Sequence, residues 1–361
     1  MKQHPWHDLP WHWPSDQPDQ IRFAKGPIRQ LALPEYAAMA ATTVAGAPLV
    51  AAAWACLTPG PAPALRDLLG VAVSPTGDAG CDRAVLDLVR DLGVRRVLLR
   101  YPVWERAHLG SLAGFAERLR AITGEPLLIA LLQNRASVTE PRRWRADLAE
   151  AFHAFGPLAE AFQVLQAPNR TKWACYHPGD AFRLLEEAER VRVRFPGVRL
   201  AGPSVIDFEP APLMRLLLNR RRFRLDVVSA LLYVDRRGAP QNTQYGIFDL
   251  ARKIRFTAAV AKASARCRTA DGQPSPLWLT ETNWPLRGTG AWAPTSQKEA
   301  VDEDAAADHL EAYARIAAAT GLVERVYWWQ LVAPGYGLVD RRPDFRPRAA
   351  YTRMQTLLRG S

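Results

Sequence analysis

Leu277-Trp278-Leu279-Thr280-Glu281-Thr282-Asn283-Trp284 opens as a short apolar run and closes on a carboxylate, an amide and an indole. The same design recurs from residue 68 onward. Apolar runs occupy 69–74, 96–101, 126–133, 161–166, 199–204, 225–233, 276–280 and 325–330. Continuous rather than alternating apolarity marks parallel strands that are covered on both faces. Amphipathic stretches follow at 82–92, 109–123, 141–155, 178–195, 211–222, 247–266, 299–320 and 346–358. Pro178 with Asp180 opens one helix, Pro212 opens another, and Gly321 follows the end of a third. Eight strand–helix units in roughly 290 residues predict an α/β fold, the (β/α)8 TIM barrel. A doubly wound sheet would carry a glycine-rich phosphate turn after its first strand. Here that turn reads Val73-Ser74-Pro75-Thr76-Gly77-Asp78-Ala79-Gly80, which is not one.

The chain has 361 residues, of which 48% are hydrophobic and 23% charged, a globular composition with room for a large core. Cys56, Cys81, Cys175 and Cys267 are widely spaced, so neither a disulfide framework nor a zinc site is expected. The net charge of +11 invites a nucleic-acid reading. However, the excess comes from 41 arginines against 6 lysines, scattered along the chain with short runs only at 220–222 and 341–342. That distribution describes a solvated surface better than a nucleic-acid footprint, and no nucleic-acid partner is expected.

Residues 1–67 form an N-terminal extension to the barrel of 68–361. Its first twenty residues mix Trp6, Trp11 and Trp13 with His4, His7 and His12, which lack metal-ligand spacing. They read as an irregular arm. Tyr36 to Leu57 is uncharged for 22 residues, long enough to span a bilayer, yet ten are Ala, and Gly46 and Pro48 interrupt it. A packed helix-turn element capping the barrel is the expectation, with membrane contact as the alternative. The layout is not that of a standard signal peptide. The expected location is cytoplasmic, or membrane-associated through this segment. Residues 58–63 then form a linker.

A barrel of this kind carries its active site at the C-terminal strand ends. Those ends supply Arg100, Trp104 and Glu105 after strand two, and Gln133 and Asn134 after strand three. Strand four gives Gln166, Asn169, Arg170, Lys172 and Trp173, strand five Asp207 and Glu209, and strand six Tyr233 and Asp235. Glu281, Asn283 and Trp284 follow strand seven, with Trp328 and Trp329 at strand eight. Flat apolar indole faces edged with amides and charges suit sugar rings. One of the adjacent pair Trp328 and Trp329 is expected to fill core, because neighbours on a strand face opposite ways. Arg170 and Lys172 beside Trp173 suit an anionic saccharide. No ligand cluster or nucleotide motif implies a metal or organic cofactor.

The run 277–284 resembles the seventh-strand nucleophile motif of clan A glycoside hydrolases. Val326-Tyr327-Trp328-Trp329-Gln330 is similar to that clan's eighth strand with its sugar-stacking Trp, and Arg346-Pro347-Arg348-Ala349-Ala350-Tyr351 to the entry of its last helix. Arg100 and Tyr233 match the second-strand Arg and sixth-strand aromatic that contact the nucleophile. The resemblance covers about residues 68–360 and implies a (β/α)8 barrel with retaining hydrolysis through a glycosyl-enzyme. Glu281 would be the nucleophile, Gln166 and Asn169 would bind hydroxyls, and Trp328 or Trp329 would stack on a ring. The implied ligand is a bacterial polysaccharide or lipopolysaccharide glycan.

One departure matters most. The clan's fourth strand ends in Asn-Glu-Pro-Asn, where the Glu is the acid/base, whereas this chain reads Gln166-Ala167-Pro168-Asn169. A retaining mechanism uses two carboxyl groups, one nucleophilic and one exchanging protons. Three readings follow. Glu105, Asp207, Glu209 or Asp235 replaces the missing acid, in a glycosidase; or Glu281 acts on substrates with good leaving groups, as in a transglycosidase or in cleavage of an acidic sugar; or the barrel binds glycans without catalysis.

Overall fold

The computed structural model describes residues 32–289, 292, 297–342 and 344–360. The aromatic and histidine arm expected over the first twenty residues lies outside them. The chain enters through α1 (Leu33–Ala55) and the short α2 (Leu65–Leu68) into β1 (Leu69–Val73). Then follow α3 (Ala79–Leu92), β2 (Arg96–Pro102), α4 (Leu109–Thr123), β3 (Leu127–Leu132), α5 (Arg135–Thr139) and α6 (Pro141–Phe155). The next units are β4 (Ala159–Gln163), α7 (Pro178–Arg192), β5 (Leu200–Ile206), α8 (Pro210–Leu217), β6 (Val227–Leu231) and α9 (Leu250–Ala263). β7 (Leu277–Thr282), α10 (Glu303–Ala319) and β8 (Val323–Trp328) complete the ring. A two-residue ladder of β9 (Val339–Asp340) and β10 (Arg346–Pro347) precedes α11 (Ala349–Arg359). Strands β1 to β8 pair in parallel in sequence order and close on one another, which is a (β/α)8 barrel.

Alternation along each strand sorts the apolar side chains into two layers. Ala72, Leu98, Leu128, Ala161, Val227 and Trp278 fill the barrel interior. Val71, Leu99, Ile129, Phe162, Leu279 and Val326 face the helices. At the end where the strands begin, Arg325 is paired with Glu160 (Nη2–Oε1 2.7 Å) and lies 4.2 Å over the Trp278 ring. At the opposite end a third apolar cluster of Leu132, Ala167, Trp173, Ile206, Leu231 and Tyr233 forms the rim. The polar strand-end residues are set among these.

The segment expected as a helix-turn cap is instead one continuous helix, α1, lying along the barrel flank on α8 and α9. Gly46 permits the approach, since a Cβ there would stand 2.7 Å from Leu218 Cδ1. Pro48 points to solvent and leaves the helix unbroken. Val50 and Ala53 turn inward, whereas Leu33, Val44 and Leu49 are exposed. By length and composition α1 is the one described helix apolar enough to cross a membrane. Its start is tied to the barrel by Tyr36 Oη donating to the Tyr176 carbonyl (3.4 Å) and by Arg215 on Glu35 (3.2 Å). Its end is held by Lys262 donating to the Cys56 carbonyl (2.6 Å).

Candidate functional site

Glu281 is the meeting point of four strands. Its Oε2 accepts from the Arg100 guanidinium at the end of β2 and from Gln166 Nε2 just beyond β4 (2.7 Å). Its Oε1 accepts from the Tyr233 hydroxyl beyond β6. Strict alternation from inward-facing Trp278 would turn Glu281 outward with Leu277 and Leu279. A bulge resets the phase: Leu279 and Thr282 face Val326 and Trp328, so β7 spends one residue more than β8. Bulges beside functional sites re-aim side chains in this way. Glu281 is 6% exposed, and its partner Arg100 lies 3.3 Å from the centre of the Trp329 ring. Burial and the neighbouring Glu281 charge push the Tyr233 hydroxyl well above its ordinary range, so it stays a donor.

The strand-four turn sits beside this cluster. Gln133 clamps it, with Nε2 donating to the carbonyls of Gln166 (2.8 Å) and Trp173 (2.9 Å) while Oε1 accepts from Gln166 N (2.9 Å). Gln163 Nε2 donates to Gln166 Oε1 (3.0 Å), which orients the Gln166 amide toward Glu281. The residue that stands where an acid/base would be expected, Ala167, is 0% exposed and packs within the rim cluster. Its φ of 42° turns the chain in a left-handed conformation.

A cavity of ≈410 Å³ opens beside Tyr233. Asp207, Glu209, Asp235 and Glu299 line it together with Arg170 and Arg237. Arg170 is fully engaged: Nη2 contacts Asp207 (2.6 Å) and Nη1 contacts Glu209 (2.5 Å). Burial opposes its charge, yet the two carboxylates lift its pKa above the ordinary value. The expected pair of cations for an anionic saccharide therefore reduces to Lys172, and the cavity wall carries more carboxylates than guanidiniums. Burial lowers the Lys172 pKa, while the Glu281 charge works in the opposite direction. Arg237 lies 3.3 Å over the Tyr233 ring and donates to the Asn283 carbonyl (3.3 Å), which ties Tyr233 to the chain just beyond Glu281.

Several expected ligand residues turn out to hold the fold. Both ends of the Gln133 amide are spent on backbone, as described. Asn134 caps α5, its Oδ1 accepting from Ser137 N (3.0 Å). Asn169 binds β5, donating to the Ile206 carbonyl (2.9 Å) and Glu209 (2.8 Å) and accepting from Ile206 N (3.0 Å). Trp284 is buried under the helices, stacked on Trp328 at 5.6 Å, with Nε1 donating to the Gly238 carbonyl (3.0 Å). Trp328 is thus the core member of its pair, and Trp329 faces inward. Trp173 is buried in the rim, with half-buried Trp104 against it. Glu105 faces His108 (3.8 Å) on the turn after β2. Arg348, in the motif before α11, staples the loop after β8 by donating to the carbonyls of Ala333 (2.9 Å) and Pro334 (2.7 Å).

Sequence reasoning missed Gln163, Arg237, Tyr245 and Glu299. A polar residue at an inward position of an apolar strand was the available signal for Gln163. Arg237 and Glu299 stand on single 3-10 turns, and Tyr245, which lines the same cavity, on a loop turn, where no periodicity reports direction. Among the described residues no group of three His, Cys, Asp or Glu side chains is placed to hold a metal ion.

No family model matches the chain, and no curated protein matches it. Solved structures do. A β-glucosidase superposes with a TM-score of 0.54 at 13% identity, covering 78% of this chain and 88% of its own. A family 5 broad-specificity endoglucanase from Clostridium acetobutylicum gives 0.53 at 12%, covering 82% and 97%. A glutamate-to-alanine variant of a family 128 endo-β-1,3-glucanase from Amycolatopsis mediterranei, in complex with laminaritriose and laminaribiose, gives 0.51 at 17%, covering 81% and 99%. The fold is that of the barrel glycoside hydrolases. At these identities the likeness is one of fold.

Proposed function

We propose that this is a glycoside hydrolase-like protein that takes a neutral saccharide on the C-terminal face of the barrel, with Glu281 as nucleophile and no acid/base from strand four. One observation carries the reading: Glu281 receives donors from Arg100, Tyr233 and Gln166, while Ala167 beside them is enclosed in apolar side chains. The excess of carboxylates around the adjoining cavity favours a neutral ligand over an anionic one.

The chemistry follows from that asymmetry. A Glu281 oxygen attacks the anomeric carbon, a C–O ester bond forms, and the bond to the leaving oxygen breaks with its electron pair. An aryloxide leaves without a proton, whereas a sugar alkoxide needs one. General acid–base help contributes about 10²–10⁴-fold, so ordinary glycosides should react slowly by that margin. The ester is then long-lived, because strand four supplies no base to activate water. Azide needs no base. It forms a C–N bond at the anomeric carbon, expels the Glu281 carboxylate and leaves a glycosyl azide of retained configuration.

The test is turnover of dinitrophenyl glycosides with and without azide. The expected result is a tenfold or greater acceleration by azide, lost in Glu281→Gln. Turnover that ignores azide and survives Glu281→Gln removes the assignment. A binding-only barrel is the second reading, favoured by the closure of residue 167, which is 0% exposed. It predicts saccharide binding with no ester and no turnover.

A further inference from the structure

A second cavity, of ≈440 Å³, lies between α1 and the rim. Tyr36 and Met39 of α1 form one wall, and Thr171, Tyr176 and His177 of the strand-four loop form another. Its volume falls within the range of about 300–1,000 Å³ typical of ligand sites, and so does that of the cavity beside Tyr233. The two cavities share Arg170 and Glu209, the ion pair that stands between them. The wall contributed by α1 is held in place at its start by the Tyr36–Tyr176 and Glu35–Arg215 contacts.

We infer that α1 completes the saccharide site: the cavity beneath it is a second compartment of one cleft that runs across the Arg170–Glu209 pair to Tyr233, the hydroxyl donor to Glu281. This rests on the carbohydrate reading above and narrows it. The ligand is a chain of several sugar residues, long enough to occupy both compartments, rather than a mono- or disaccharide. Tyr36, Tyr176 and His177 line it with aromatic side chains, and the paired Arg170 and Glu209 line both compartments as a polar divide. The N-terminal helix is then a specificity element, which accounts for an otherwise simple barrel carrying an ordered helix on its flank.

The experiment is isothermal titration of the full chain with cello-, laminari-, xylo- and mannooligosaccharides of two and six residues. It is repeated with Met39→Trp, which fills the compartment, and Tyr36→Ala, which opens its wall. Thermal unfolding of each variant checks that the barrel is intact. The expected result is that wild type holds at least one hexasaccharide tenfold or more tightly than the matching disaccharide. Both variants should cut that length preference at least fivefold. A length preference unchanged in both variants overturns the role of α1 and leaves the carbohydrate reading standing. Absence of binding to every saccharide of either length overturns both.

Discussion

Strands four and seven are not neighbours in the ring but end on the same face of the barrel, and there they present opposite chemistry. The end of β7 offers Glu281, re-aimed by a bulge and met by a guanidinium, a phenol and an amide. The turn after β4 offers the methyl of Ala167, closed in by Leu132, Trp173, Ile206, Leu231 and Tyr233. Buried carboxyl groups persist where hydrogen-bond donors offset their desolvation, and unpartnered ones do not. Gln166 joins the two regions, because its backbone belongs to the turn and its amide belongs to Glu281. The difference teaches that a carboxylate met by three donors is held at a buried strand end, while the turn across from it is closed by apolar packing.

The most severe way to break this contrast is to restore the carboxyl. In Ala167→Glu the new group would enter an apolar enclosure at a residue with φ of 42°. The expected loss of stability is about 2–4 kcal/mol, with no gain in hydrolysis of unactivated oligosaccharides. Denaturant unfolding and reducing-end release measure the two quantities. A rate gain on the order of 10²-fold with unchanged stability would show that the turn still accepts an acid, and the contrast would fail.

A milder comparison sets Glu281 against Asp147 on α6, a buried carboxyl whose pKa burial pushes up to about 6. A carboxyl raised in the folded state binds its proton more tightly there than in the unfolded chain. Asp147 therefore costs stability as pH rises from about 4 through about 6, and the cost persists above that. Asp147→Asn should stabilise the protein by about 1–2 kcal/mol at pH 7.5 and by little at pH 4, once partial solvation is allowed for. Thermal unfolding at the two pH values measures this. A variant less stable at pH 7.5 than at pH 4, relative to wild type, would contradict the assignment.

The barrel was legible because its strands are buried on both faces and so read as unbroken apolar runs, from 69–74 round to 325–330. Polar side chains at the ends of such runs stood out, and four of them, Arg100, Gln166, Tyr233 and Glu281, converge. Direction was less legible. The bulge that turns Glu281 inward leaves no mark in composition, and strict alternation would have pointed it at the helices. The amides of Gln133, Asn134 and Asn169 looked like ligands for hydroxyls, but the backbone of turns and caps consumes them. Arg170 looked like a free cation until two carboxylates from the next strand end met it. Gly46 and Pro48 suggested a break in the N-terminal segment. Packing on α8 and α9 overrides that local preference, because the glycine supplies contact and the proline faces water.

The central claim is that Glu281 attacks sugar while strand four supplies no group to give or take a proton. Mass spectrometry of the chain after incubation with dinitrophenyl glycosides of glucose, xylose and mannose tests it most directly. A glycosyl ester that accumulates on the peptide containing Glu281, and disperses on adding azide, is the predicted result. An adduct on another carboxylate, or steady hydrolysis with no adduct and no response to azide, would contradict it.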